Sequence, residues 1–334
     1  MRARHLMLDC TLLLLGVGCS TQAPARAPEP LQQRTVAALR AEQSSEPERD
    51  VRPRPLVAPD GSAEAALERA VDDPSAAPAF RQPPVDPRDT RAVVLLYHAF
   101  DRGAKPLSVS ASNFERQVRW LLDEGVEVVH TSELIAFLNG ELRLPRRVAV
   151  ITIDDGLRSV FEKAWPILRE HSVKFTVGLP TGMLEDPKNA PVMTWDQVRT
   201  MVDTGLCEVA SHGHMHRNLV GLEGKRLHEE LSLSRTLIAE RLGREPVAYF
   251  YPLGAFDKRS AKEVKRAGYP AAFRASGAPV AVGAGSHFWI PRASVFHDDG
   301  AYVGYFFSER FLAQVRAAPE RLRNTAKNEA PSSL

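Results

Sequence analysis

The chain has 334 residues, 44% of them hydrophobic, which is enough apolar chain for a sizeable core. Its formal net charge is only +2, which excludes the strongly basic surface of a protein built to hold nucleic acid. No run of 18 apolar residues occurs, so an ordinary membrane-spanning helix is not expected either.

In chain order, the first element is a leader. Arg2, Arg4 and His5 precede an apolar stretch that starts at Leu6 and ends "LLLLGVGCS". A basic start, a short apolar core and small residues before a cut mark residues 1–19 as an export signal. Cys19 stands where a lipoprotein signal places its lipidated cysteine, although Gly16 and Asp9 depart from that pattern. The expectation is an exported chain anchored in the cell envelope by a lipid on Cys19, or otherwise periplasmic or secreted. With Cys10 removed and Cys19 lipidated, Cys207 has no partner, so no disulfide framework is implied.

Residues 20–91 read as a disordered tether. Twelve of the chain's 25 prolines fall there and the only aromatic is Phe80. Such a segment buries too little apolar surface to offset its ordering entropy.

From residue 92 strands and helices alternate. "AVVLLYHAF" is a buried strand, and "SASNFERQVRWLLDEG" is a helix with Ser112 and Glu115 spaced as a capping box and Gly125 past its end. "VEVVH" is a strand and "SELIAFLNG" a second helix. "RVAVITI" is the third strand, with a helix over about 158–170. "VKFTVGLP", "CEVASH", "PVAYFYP", "YPAAFRA" and "FWIPRASV" supply the remaining strands. Between them fall helices at "TWDQVRTMVDTG", at about 224–242 and at "KRSAKEVKRAG". Alternation without a strand-only block argues for a parallel sheet with crossover helices, and about seven units suit a closed barrel. The catalytic unit is therefore placed at 92–318, with a polar tail at 319–334.

In such barrels chemistry sits at the C-terminal ends of the strands. Asp154 and Asp155 lie at one of them, where Asp-Asp-Gly also suits a plain turn. A second Asp-Asp-Gly at 298–300 reads as a surface turn. His212, His214 and His216 directly follow another strand, and two histidines four apart can share a helical turn and hold one metal. A polar surface loop is the plainer alternative.

Taken in order, "TIDDG", "HGHMH" and "YFYPLGAFD", with "LLYHAF", "TWDQVR", "AGYPAAF" and "IPRASV", resemble the NodB-type polysaccharide deacetylases of carbohydrate esterase family four. The likeness runs over about 92–296 and is strongest to the branch of exported biofilm-glycan deacetylases. It implies a distorted (β/α)7 barrel and a hydrolase that removes N-acetyl groups from N-acetylhexosamine residues of a cell-envelope or extracellular polysaccharide. It further implies one divalent metal, usually zinc, with cobalt and nickel suited to the same ligands. Asp155, His212 and His216 would hold the metal and Asp154 would be the general base. The main-chain N–H of Leu253, aimed by Pro252 and Gly254, would meet the oxyanion. Tyr97, His98, Tyr251, Pro252 and Arg292 are candidates to line the substrate groove.

Three departures stand out. Ile153 replaces a phenylalanine, Phe250 stands where many members carry an arginine beside the base, and Leu253 replaces a tyrosine. No Leu-x-His motif supplies a general acid, which leaves His214, His287 and His297 as weak candidates. An O-acetyl esterase and a non-catalytic glycan-binding barrel remain as alternative readings.

Overall fold

The computed structural model describes residues 80–101, 107–188, 190–275 and 287–295. The export signal, the tether as far as residue 79, the 298–300 turn, His297 and the tail lie outside the described residues.

Among the described residues, eight strands form one parallel sheet: β1 (Arg91–Tyr97), β2 (Glu127–Val128), β3 (Arg147–Ile153), β4 (Phe175–Leu179), β5 (Cys207–Ser211), β6 (Tyr249–Phe250), β7 (Ala272–Ala275) and β8 (Ile290–Ser294). Seven of them close into a ring in the order β1-β8-β7-β6-β5-β4-β3, and β3 returns to β1. The (β/α)7 barrel expected from the sequence is therefore present. "VEVVH" is the exception, because only its two-residue β2 pairs, and it does so beside the N-terminal half of β3. The C-terminal half of that same edge pairs with β4. Sharing one edge between two partners keeps β2 outside the ring and distorts the barrel.

Side-chain parity divides the core. Ala92, Val94, Val148, Val150, Ala210, Phe250, Phe273 and Ile290 form the cluster inside the barrel. Their neighbours of opposite parity, including Val93, Leu95, Ala149, Ile151, Ile153, Val177 and Val209, pack under the helices. Period-two alternation with both faces apolar is the signature of a strand covered on both sides.

The helices are α1 (Ala111–Asp123), α2 (Thr131–Leu138), α3 (Trp165–Glu170), α4 (Thr181–Leu184), α5 (Trp195–Val202), α6 (Gly224–His228), α7 (Ser234–Leu242) and α8 (Lys258–Arg266). The α1 cap differs from expectation. The N-cap of α1 is Ser110, whose hydroxyl accepts from the Asn113 N–H, so Ser112 lies inside the first turn. The N-cap of α2 is His130, whose N–H donates to Glu133 at 2.7 Å. Single-turn π segments at Val160–Ala164 and Glu229–Leu233 precede α3 and α7. No helix among the described residues is long and apolar enough to cross a membrane.

Residues 80–90, assigned to the tether by composition, are seated on the barrel. Phe80 packs against the inner cluster. Arg81 donates through Nη2 to the Val126 carbonyl at 2.6 Å and through its N–H to Glu127 at 3.1 Å, and Val85 N–H donates to the Leu144 carbonyl. The folded unit thus includes Phe80 rather than beginning at residue 92. Composition does not reveal this docking, which rests on Phe80, Arg81 and the bonds of Val85 and Thr90 to the Leu144 carbonyl.

Candidate active site

Parity carries the chemistry to the barrel mouth. The inward file of β3 runs Val148, Val150, Thr152 and then Asp154, which is 2% exposed. The inward file of β5 runs through Ala210 to His212, and that of β8 from Ile290 to Arg292, which is fully buried. Gly178 on β4 makes room for them, since a Cβ there would stand 2.7 Å from the Phe250 ring and 3.0 Å from Asp154 Oδ1.

The same parity settles the groove candidates. Tyr97 and Tyr251 belong to the outer file. Tyr97 donates its hydroxyl proton to Gln117 at 2.9 Å in the core, and Tyr251 donates to the Phe288 carbonyl at 2.9 Å. Neither lines the cleft. Pro252 is buried as the first residue of a 3₁₀ turn over Pro252–Gly254 and also stays out of it. His98, one residue past Tyr97, does face the cleft, together with Leu107, Asp154, Asp155, His212, His216, Leu253, Gly254 and Ala275. Its Nδ1 is buried without a hydrogen-bond partner. Burial favours the neutral ring of His98, and the charges of Asp155 and Asp154 oppose that effect.

Arg292 lies behind the cleft rather than in it. Its Nη1 and Nη2 each donate to one oxygen of Asp154 at 2.7 Å, and its guanidinium sits 4.2 Å over the Phe250 ring. The cation absent from position 250 therefore arrives from β8, and Phe250 becomes the surface on which it stacks. Burial alone would raise the Asp154 carboxyl, but Arg292 and His212 hold it below its ordinary value.

Asp155, His212 and His216 converge, with one ligand atom of each lying within 4.8 Å of the others. Asp155 Oδ1 is 3.4 Å from His212 Nε2 and 3.3 Å from His216 Nε2. His212 donates from Nδ1 to the Phe250 carbonyl at 2.9 Å, which leaves its Nε2 lone pair for a metal. Burial would raise Asp155 too, yet its hydrogen bonds with the two histidines hold it well below the usual carboxylate range. Burial would lower the His212 ring, but the two carboxylates raise it. Two imidazoles and a carboxylate at this separation, in a negative potential, suit one divalent ion with open positions for water and substrate.

The histidines do not meet through a helical turn. Residues 212–216 form an irregular loop in which Gly213 (φ 78°) and His216 (φ 55°) are left-handed. Left-handed backbone recurs at Asp155 (φ 69°), Leu253 (φ 61°) and Leu107 (φ 67°). Among the described residues, four of the five non-glycine positions with positive φ therefore line this one cleft. Each costs of order 1 kcal/mol or more, and such strain collects where function demands a fixed direction.

Of the weak acid candidates, His214 is held outside the cleft by Thr181, whose hydroxyl lies 3.0 Å from its Nδ1. His287 is at the opposite end of the barrel, where its carbonyl accepts from Ala272, the first residue of β7.

Comparison with known proteins agrees with this geometry. Residues 142–272 match the family model described as polysaccharide deacetylase. A poly-beta-1,6-N-acetyl-D-glucosamine N-deacetylase of Staphylococcus aureus (strain MRSA252) is 23% identical over 214 residues, 61% of this chain and 73% of that protein. YxkH of Bacillus subtilis is 24% identical over 176 residues, and the match spans only 61% of its length. Among solved structures, IcaB from Ammonifex degensii has a TM-score of 0.59 at 23% identity, covering 66% of this chain and 98% of that one. Streptococcus pyogenes deacetylase PplD, in complex with acetate, has a TM-score of 0.58 at 21% identity, covering 64% and 94%. At these identities the solved structures establish a shared barrel fold.

Proposed function

We propose that this chain, whose barrel belongs to the polysaccharide deacetylase family through residues 142–272, hydrolyses N-acetyl groups on the N-acetylhexosamine units of an envelope or extracellular glycan. The observation that carries the reading is the joint placement of Asp154 on Arg292 and of Asp155 between two histidines, in one cleft. A divalent ion held by Asp155, His212 and His216, zinc in the first instance, would polarise the acetyl carbonyl and bring the pKa of water towards neutrality.

The chain's own groups have separable tasks. Asp154, kept ionised by Arg292, takes the proton of the attacking water. The N–H of Leu253 donates to the oxyanion as the carbonyl becomes tetrahedral. The proton that Asp154 takes from water reaches the departing nitrogen through His98, neutral in the resting site, as the C–N bond breaks, giving acetate and a free amine. Three observations favour His98 over His214 and His287: it lines the cleft, its Nδ1 has no partner, and His214 is held by Thr181 while His287 lies at the other end of the barrel.

The staphylococcal relative supports poly-β-1,6-N-acetylglucosamine as the first glycan to test. The leader at 1–19, with Cys19 as a lipid site, supports an enzyme that meets its substrate outside the cytoplasm. The test is acetate release by the purified chain from a panel of N- and O-acetylated glycans, before and after chelation. Release from an N-acetylated glycan that stops with chelator and returns with zinc is expected. Release from O-acetyl esters alone would make the chain an esterase. Glycan binding without acetate release would make it a binding barrel.

A further inference from the structure

Glu230 is fully buried, yet it is not part of the cleft. It lies in the π segment Glu229–Leu233, and such segments are frequent at functional sites. Its carboxylate faces the back of the loop that carries His212 and His216. Oε2 accepts from the N–H of His214 at 2.8 Å and of Arg217 at 3.3 Å. Oε1 accepts from Met215 N–H at 3.0 Å and from Arg217 Nη1 at 3.2 Å. The carbonyl side of the loop is held separately, by the N–H groups of Thr181 and Gly182. Met215 itself is 41% exposed, so little apolar packing fixes this stretch.

The fit between loop and carboxylate is close. A Cβ at Gly213 would stand 2.3 Å from Glu230 Oε2, so the glycine supplies the carboxylate's space as well as its own left-handed turn. Consecutive main-chain N–H groups around an anion make a nest, and a charged acceptor roughly doubles the strength of each bond. Without the anion, three N–H groups would lose their acceptor. His216, at φ 55°, would then be free to relax and swing its imidazole away from Asp155.

We propose that Glu230 is a positioning residue for the metal site: it locks the 213–217 loop in the strained form that brings His216 to Asp155. Glu230→Gln keeps the volume but sets an NH₂ group against an N–H donor in either orientation. Gly213→Ala leaves the glutamate in the chain and displaces its carboxylate. Val264→Ala, fully buried in the apolar cluster that also contains Leu231, is the control for general destabilisation.

Resting on the reading of Asp155, His212 and His216 as metal ligands, this role is tested first on the full parent chain, whose zinc dissociation constant is measured by chelator competition. The expected result is tight binding by the parent and by Val264→Ala, with binding weakened about 10–100-fold in Glu230→Gln and Gly213→Ala. If Glu230→Gln and Gly213→Ala bind zinc as the parent does, and lose only melting temperature as Val264→Ala does, Glu230 is structural and the proposal is overturned. Where Glu230→Gln cannot be recovered folded, Glu230→Asp, which keeps the anion but shortens its reach to the loop, is measured in its place and the same two outcomes decide. A parent that binds no zinc would overturn the metal reading itself, and this role with it.

Discussion

Arg292 grips Asp154 with two parallel hydrogen bonds of 2.7 Å, inside a barrel where both side chains are out of water. A bidentate fork fixes the direction of the carboxylate as well as its charge. Arg292→Lys keeps the charge and loses the fork, so turnover should fall about 10²-fold through misplacement of the base, with zinc content unchanged. Arg292→Leu leaves a buried carboxylate without its partner and should cost about 3–5 kcal/mol in chemical denaturation. A Lys variant as active as the parent would show that the geometry of Asp154 is not critical.

His98 should matter according to how basic the leaving group is. His98→Gln is expected to lower turnover on an N-acetyl glycan by roughly 10²–10⁴-fold while zinc content is retained. An activated acetyl ester, whose leaving group needs no proton, should be cleaved at close to the parent rate. Equal losses on both substrates would remove His98 from the proton-donating role.

Leu253 is proposed to act through its main chain, and it does so at φ 61°. Leu253→Gly keeps the N–H and relieves the left-handed strain, so turnover should stay within a few-fold of the parent and stability should not fall. A loss beyond tenfold in kcat would mean that the leucine side chain, rather than its N–H, serves the reaction.

The docked segment at 80–90 makes a prediction about boundaries. A fragment starting at residue 92 loses Phe80 and the Arg81 bonds to Val126 and Glu127. It should melt several degrees below one starting at residue 80, because about 1 kcal/mol shifts the midpoint by roughly 2–4 °C in a domain of this size. Equal midpoints, measured by calorimetry, would show that the segment contributes nothing.

Much of the barrel was legible because strands buried on both faces read as apolar runs and helices as capped, periodic segments. β2 is shorter than its sequence suggests: "VEVVH" has strand composition, but composition does not say that half of the β3 edge is taken by β4. Tyr97 and Tyr251 were placed in the groove by proximity in sequence, whereas parity along β1 and β6 sends both outward. Asp154, Asp155, His212 and His216 were legible through the motifs "TIDDG" and "HGHMH" that carry the family resemblance, since an acid pair or a histidine loop alone also suits a plain turn. Their convergence through left-handed backbone was not, since only Gly213 advertises it. Glu230 gave no signal, being one glutamate of a helical stretch of mixed charge, 14 residues beyond His216 and brought beneath it only by the fold. The sequence offers Arg292 as a groove candidate, and nothing in a single sequence tells an arginine that lines a cleft from one that grips a carboxylate from behind.

The most direct test sets the two adjacent carboxylates against each other by measuring bound zinc and acetate release in Asp154→Asn and Asp155→Asn. Asp155→Asn should come out without metal and inactive, since a neutral amide is a poor ligand. Asp154→Asn should keep its zinc and lose roughly 10²–10⁴-fold in turnover, as expected for a missing base. If Asp154→Asn stripped the zinc while Asp155→Asn retained it, the division of labour described here would be contradicted.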